Sequence, residues 1–164
     1  MTKRWMEIRK AADPELRDIV SMWKRNIKTA NTAYDIVTLY RYFKNYFLVA
    51  TCTDTGRNTG TNSDIIGFVA GAVRDGHGHI SGIAVDNEFR RNGVGMQLLK
   101  AVDATFLAEG YDRVTLEVRI SNMEAIKFYE DHGYKSLFTI KGYYADGEDA
   151  IVYEVKNATH KAQT

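Results

Sequence analysis

Apolar positions change period along this chain, and the changes mark its elements. Trp5, Met6 and Ile8 sit in a short run that reads as a first strand over residues 5–10. Leu16, Ile19, Val20 and Trp23 then recur at helical spacing, which predicts a helix running to about residue 29. Asp13-Pro14-Glu15 opens it: Asp13 is the expected cap, Pro14 gives up an N–H that the first turn does not use, and Glu15 suits the positive end of the dipole. A second amphipathic stretch over 33–44 carries Ile36, Leu39, Tyr40 and Phe43. Tyr46-Phe47-Leu48-Val49-Ala50 is rich in strand formers. Residues 65–73 and 79–85 read as strands split by the turn Asp75-Gly76-His77-Gly78. Val94, Leu98, Leu99, Val102 and Phe106 form the buried stripe of a long helix over about 93–109, and Gly110 ends it. A strand over 114–119 follows. Ser121 or Asn122 caps a further helix that stops at Gly133, and two strands close the pattern near 134–143 and 149–155.

Early strands joined by hairpins and later strands separated by helices predict an α+β domain with a mixed, mostly antiparallel sheet of six or seven strands and about four helices. Residues 1–156 read as one domain, and 157–164 as a polar, frayed tail. Residues 52–64 are Thr, Gly, Asn and Asp, a composition of turns, so they read as a mobile hairpin loop within the domain.

Composition excludes several classes. Apolar content of 45% and charged content of 26% suit a soluble globular protein. No apolar run reaches the roughly 18–20 residues of a membrane span. The first residues, Met1 to Ile8, hold no apolar signal core, so a cytoplasmic location is expected. A formal net charge of +1 argues against direct nucleic-acid binding. The lone Cys52 makes no internal disulfide and no zinc cluster. His77-Gly78-His79 has no carboxylate or cysteine cluster beside it, so no metal site is expected.

Two segments carry the chemistry. In the first, the apolar run Ile83-Ala84-Val85 ends in a polar connection, and the basic, glycine-bearing turn Arg90-Arg91-Asn92-Gly93-Val94-Gly95-Met96 opens the long helix. The first N–H groups of a helix have no intrahelical partner, and the dipole places partial positive charge there. Phosphate oxygens are natural occupants, and Arg90 and Arg91 add charge. A helix that merely begins at a glycine turn is the plainer alternative. No G-x-x-x-x-G-K-[S/T] sequence is present, and Leu98 fills the third glycine position of a dinucleotide fingerprint.

The second segment runs from Leu116-Glu117-Val118-Arg119 through Ser121-Asn122 to Tyr134. Asn122, Ala125 and Tyr129 fall on one helix face, spread over about 10 Å at 1.5 Å per residue. That suits a face tracking an extended ligand. Glu117 lies between apolar neighbours, an unusual place for a carboxylate. Its structural alternative is an ion pair with Arg113, Arg119 or Lys141. Tyr129 has the alternative of a core aromatic.

Both segments resemble the GCN5-related acetyltransferases. Arg90 to Gly95 fits their [Q/R]-x-x-G-x-[G/A] turn, and residues 116–134 are similar to the L-E-V-R-x-S-N-x-x-A-I-x-x-Y-x-x-x-G-[F/Y] run of the ribosomal-protein alanine N-terminal acetyltransferases and their archaeal relatives. The resemblance covers roughly residues 65–155. It implies the family fold, a sheet splayed in the middle, and acetyl-CoA as acyl donor. The turn from Arg90 to Met96 would hold the pyrophosphate, and the backbone of Ile83, Ala84 and Val85 the pantetheine arm. Asn122, Ala125 and Tyr129 would line the arm. Glu117 would be the general base, directly or through water, and Tyr129 the acid that protonates the leaving sulfur, a role open to a phenol. The Val85 N–H would polarise the thioester carbonyl. No covalent enzyme intermediate is implied.

Gly142-Tyr143-Tyr144 resembles the family's acceptor turn, so Tyr143 and Tyr144 are expected to flank a peptide, with Tyr34 on the opposite wall. An aromatic hairpin closing the sheet is the alternative for the turn. A peptide α-amine titrates near 7.7–8.0 and a lysine near 10.4, so at neutral pH the α-amine is roughly a few hundred times more often the free base. This favours protein N-termini as acceptors, and the resemblance implies ribosomal proteins among them. The connection 26–35 lacks the Pro-Glu turn common in N-terminal acetyltransferases. A lysine or small-amine acceptor therefore stays open, as does a non-catalytic coenzyme-A-binding module. Either a monomer or a homodimer fits.

Overall fold

The computed structural model of the protein describes residues 5–53 and 65–157. The expected hairpin loop from residue 54 onward and the expected tail from 158 lie outside the described residues. Seven strands and four α-helices are present in the described chain. In chain order they are β1 (Trp5–Lys10), α1 (Leu16–Asn26), α2 (Ala33–Phe43), β2 (Phe47–Thr53), β3 (Ile65–Arg74), β4 (His77–Val85), α3 (Val94–Ala108), β5 (Arg113–Arg119), α4 (Met123–Asp131), β6 (Lys135–Ile140) and β7 (Ala150–Lys156). The sheet is open, with strand order β1-β2-β3-β4-β5-β7-β6. Among described residues, no helix is long and apolar enough to cross a membrane.

The chain divides into two compact units, one of Met1–Ala72 with Ser81–Thr105, the other of Val73–Ile80 with Phe106–Thr164. The first is built on the antiparallel pairs β1–β2 and β2–β3, in register from Trp5 against Thr53 to Lys10 against Leu48. Its core gathers Ile19, Met22, Trp23, Ile36, Tyr40, Phe47, Val49 and Phe68. Trp23 stacks on Phe68 with ring centroids 5.4 Å apart. Gly82 lets the indole in, since a Cβ there would stand 2.9 Å from the ring.

The second unit is built on β5–β7 and β6–β7, both antiparallel, with β4 joined in parallel to β5 through Gly78–Val114 and His79–Thr115. This parallel ladder is short. Val114, Leu116 and Val118 are buried on one face of β5. The alternate residues Thr115 and Glu117 take the other face, where their partners come from β4.

Several boundaries differ from those expected, each for a local reason. Asp13 does not cap the first helix. Its carboxylate accepts from the Tyr40 hydroxyl at 2.5 Å and from Lys44 at 3.2 Å, while Glu15 reaches back to the Ala12 N–H. Glu15 also receives both arms of Arg9 at 2.7 Å, and that guanidinium, first among the causes, holds its carboxyl below the usual range. α1 stops at Asn26 because Ile27 turns extended, at φ −118° and ψ 123°. The turn between β3 and β4 is two residues, Asp75 and Gly76, both in the left-handed region at φ 52° and 79°. Such an Asp-Gly pair matches the twist of its flanking strands and leaves His77 and Gly78 to the ladder. Cys52 and Thr53 belong to β2. Asn122, rather than Ser121, caps α4, its Oδ1 accepting from the Ala125 N–H.

Candidate active site

The first unit holds the glycine turn. β4 ends at Val85, and the chain passes through Arg90 and Asn92 into α3. Gly93 has φ 77°, a conformation that costs a side-chain-bearing residue strain, and Arg91 is also left-handed at 65°. Alternation of this kind turns successive N–H groups toward one side, a geometry suited to anions. Asn92 ties the turn together by donating to the Phe89 and Arg90 carbonyls. Val94 is buried, so the turn is anchored to the apolar stripe of Leu98, Leu99 and Val102. Gly95 and Met96 fall in the first turn of the helix. Arg90 folds back: its Nε donates to the Val85 carbonyl at 3.1 Å and its guanidinium to Asn26 Oδ1 at 3.1 Å. Arg90 thus braces the end of the strand against α1, and both Arg90 and Arg91 are exposed. Ile83 is half-buried and Ala84 buried along the same strand. Tyr34, in the first turn of α2, is 74% exposed.

The second unit holds the acid–base candidates. Glu117 lies on β5 with its side chain 14% exposed. Its partners are not the three cations expected from sequence. Oε2 meets His79 Nε2 at 2.6 Å, and Oε1 accepts from Arg74 at 3.3 Å. Arg113 pairs instead with Glu154, and Arg119 with Asp146 and Glu148. Burial alone would push the Glu117 carboxyl up. The hydrogen bond and charge of His79, with Arg74 behind, outweigh it and hold the carboxyl below the usual range.

Sequence reasoning missed His79. It is 3% exposed, and the parallel β4–β5 register brings it beside a glutamate 38 positions away. The available signal was period two: His77 and His79 alternate with Gly78 and Ile80, so both face one side. His77 follows the same pattern, meeting Thr115 Oγ1 at 2.8 Å.

Tyr129 is buried on α4, its ring 5.7 Å from that of Tyr134 and 5.3 Å from that of Phe128. It is therefore both a core aromatic and a hydroxyl-bearing one. Asn122 is exposed at the start of the same helix, with Ala125 half-buried one turn on. The turn between β6 and β7 presents Tyr143 at 43% exposure and a half-buried Tyr144. The two rings meet edge to face at 5.0 Å. Burial, the largest cause, pushes the Tyr144 hydroxyl up to about 12 against the opposing charge of Arg119.

Comparison with known proteins follows the same lines. The sequence model of the acetyltransferase (GNAT) family matches residues 5–134. An uncharacterised N-acetyltransferase of Methanocaldococcus jannaschii is 32% identical over 157 residues, 95% of either chain. An N-alpha-acetyltransferase of Saccharolobus solfataricus is 45% identical over 76 residues, a match that spans 46% of each. The crystal structure of Ard1 from Thermoplasma volcanium shares the fold at a TM-score of 0.82 and 26% identity, over 94% of this chain and 99% of that one. The family match begins in β1, well before the stretch whose resemblance the sequence motifs carry, and it takes in the glycine turn, Glu117 and Tyr129. The chain accordingly belongs to the acetyltransferase (GNAT) family and is an acetyl-CoA-dependent N-acetyltransferase.

Proposed function

We propose that the acceptor is the N-terminal α-amine of a protein, with Glu117 as general base and Tyr129 as general acid. The observation that carries this reading is the Glu117–His79 pair, a carboxylate held below its usual range beside a buried imidazole. The residues fit acetyl-CoA chemically: left-handed Gly93, the open start of a 15-residue helix and exposed Arg91 suit a pyrophosphate.

Glu117 stays ionised at neutral pH and is a weak base. A weak base is enough for an α-amine, much of which is already free at pH 7–8. As the neutral amine attacks the thioester carbonyl its nitrogen becomes cationic and its N–H strongly acidic. Glu117 takes that proton, directly or through water, and His79 steadies the carboxylate in position. Tyr129 gives a proton to the departing sulfur. The balance is one C–N bond formed and one C–S bond broken, with free coenzyme A as the thiol product. In this reading the Val85 N–H has the role of polarising the thioester carbonyl. Asn122 and Ala125 line the arm, while Tyr143, Tyr144 and Tyr34 receive the peptide. The N-alpha-acetyltransferase named above supports the α-amine; ribosomal-protein N-termini fall within the same class.

Peptide-dependent release of coenzyme A thiol tests the reading. Release is expected with peptides bearing a free α-amine, and Gly93→Val should raise the acetyl-CoA KM by about tenfold or more while leaving the peptide KM near wild type, because a β-branched residue resists a positive φ. A chain that releases no thiol with any peptide overturns it.

A further inference from the structure

Arg119 joins β5, the strand of Glu117, to the turn that carries Tyr143 and Tyr144. Its Nη1 donates to both carboxylate oxygens of Asp146 at 3.0 Å and to Glu148 Oε1 at 3.1 Å. Its guanidinium carbon lies 4.0 Å from the centre of the Tyr144 ring. Glu148 is held in turn by the Ser121 hydroxyl at 2.5 Å and the Ser121 N–H at 3.1 Å. The Asp149 carbonyl accepts from the Ile120 N–H at 3.2 Å, and the Asp149 carboxylate from the Gly142 N–H at 2.8 Å.

These contacts do different work. The backbone bonds fix where the turn leaves and rejoins the sheet. The guanidinium contacts its acidic tip and an aromatic face together. A planar fork can pair with carboxylates in its plane and stack through its face at the same time, which an ammonium cannot. The Arg119 side chain is 15% exposed, so solvent screens these pairs less than it would on an open surface.

We infer that Arg119 is the positioning residue of the acceptor wall: its guanidinium holds the Tyr143–Tyr144 turn in place through Asp146, Glu148 and the Tyr144 ring, and so sets peptide affinity without touching the reacting atoms. This rests on the proposal that the turn receives the acceptor. Displacement of a binding group by even an ångström is costly, so the effect falls on the peptide.

The test is steady-state kinetics on Arg119→Met, Arg119→Lys, the paired variant Asp146→Asn with Glu148→Gln, and Tyr143→Ala. Arg119→Met should raise the peptide KM by about tenfold or more, with the acetyl-CoA KM within about twofold of wild type. Arg119→Lys should keep most of that loss, because it restores charge without the fork or the stack. The paired variant lies on the exposed turn and should give the same KM rise, and it carries the test should Arg119→Met not fold. If Tyr143→Ala raises the peptide KM while the Arg119 and paired variants leave it unchanged, the positioning role is overturned. Equal losses in both KM values also overturn it, since they mark general damage to the fold. If Tyr143→Ala itself has no effect, the turn is not the acceptor wall, and the assignment to that wall falls first.

Discussion

Glu117→Gln is expected to lower kcat by about 10²–10⁴-fold, and Tyr129→Phe by about 10²-fold, with the protein still folded. The amide is close in shape to the carboxylate and can still meet His79, so what is lost is the capacity to take a proton. The phenylalanine keeps the contacts that the Tyr129 ring makes with Tyr134 and Phe128, so what is lost is the hydroxyl. The pH profile separates this account from others. Falling pH protonates the amine, and a protonated amine has no lone pair to attack with, so kcat/KM should fall below about pH 7.7–8.0. Glu117 titrates below the usual carboxylate range, because His79 and Arg74 outweigh the effect of burial. Its own titration therefore lies well to the acid side of that limb. Glu117→Gln should lower the profile without moving the limb. Wild-type turnover by both variants at saturating acetyl-CoA would remove both residues from the mechanism.

Trp23→Ala is expected to destabilise the chain by about 3–5 kcal/mol, the range for truncating a buried large aromatic. That is a large part of the roughly 5–15 kcal/mol available to a domain of this kind. Trp23 is 1% exposed, stacks on Phe68 and fills the space that Gly82 leaves open. Alanine would empty that space, and the strands around it are hydrogen-bonded in register and cannot close over the gap. Trp23→Phe should cost clearly less. It keeps a ring against Phe68, and it removes the indole Nε1, which is buried with no hydrogen-bond partner among the described residues. Denaturant unfolding of the three proteins checks the order. An alanine variant within about 1 kcal/mol of wild type would show that the core of the first unit is not organised around this residue.

The strands and helices were legible wherever apolar period and a local stop signal agreed. The stripe from Val94 to Phe106 with Gly110 behind it placed α3 to within a residue at each end. Errors arose where a distant partner took over a local one. Asp13 had the right position for a cap, but Tyr40, 27 residues on, claimed its carboxylate. Asp75-Gly76 is a two-residue turn by its chemistry, and reading four residues into it displaced His77 from β4. At the site, Glu117 stood out because a carboxylate rarely alternates with buried aliphatics. Its partners did not, since Arg74 and His79 reach it from 43 and 38 positions away. Pairing between a residue on β4 and one on β5 depends on register, and register in a parallel ladder with a helical crossover leaves no local trace. Tyr129 shows the opposite case: a motif marked its hydroxyl, while only packing shows that its ring also belongs to the core.

The central claim is that acetyl leaves acetyl-CoA for the α-amine of a protein chain. One competition measures it most directly. A lysine-free peptide with a free N-terminus and an Nα-blocked peptide containing lysine are offered together at equal concentration, and mass spectrometry follows acetylation of each. The account predicts that acetyl accumulates on the free N-terminus and that the blocked peptide stays unmodified. Acetyl on the lysine of the blocked peptide, with the free N-terminus untouched, would contradict it.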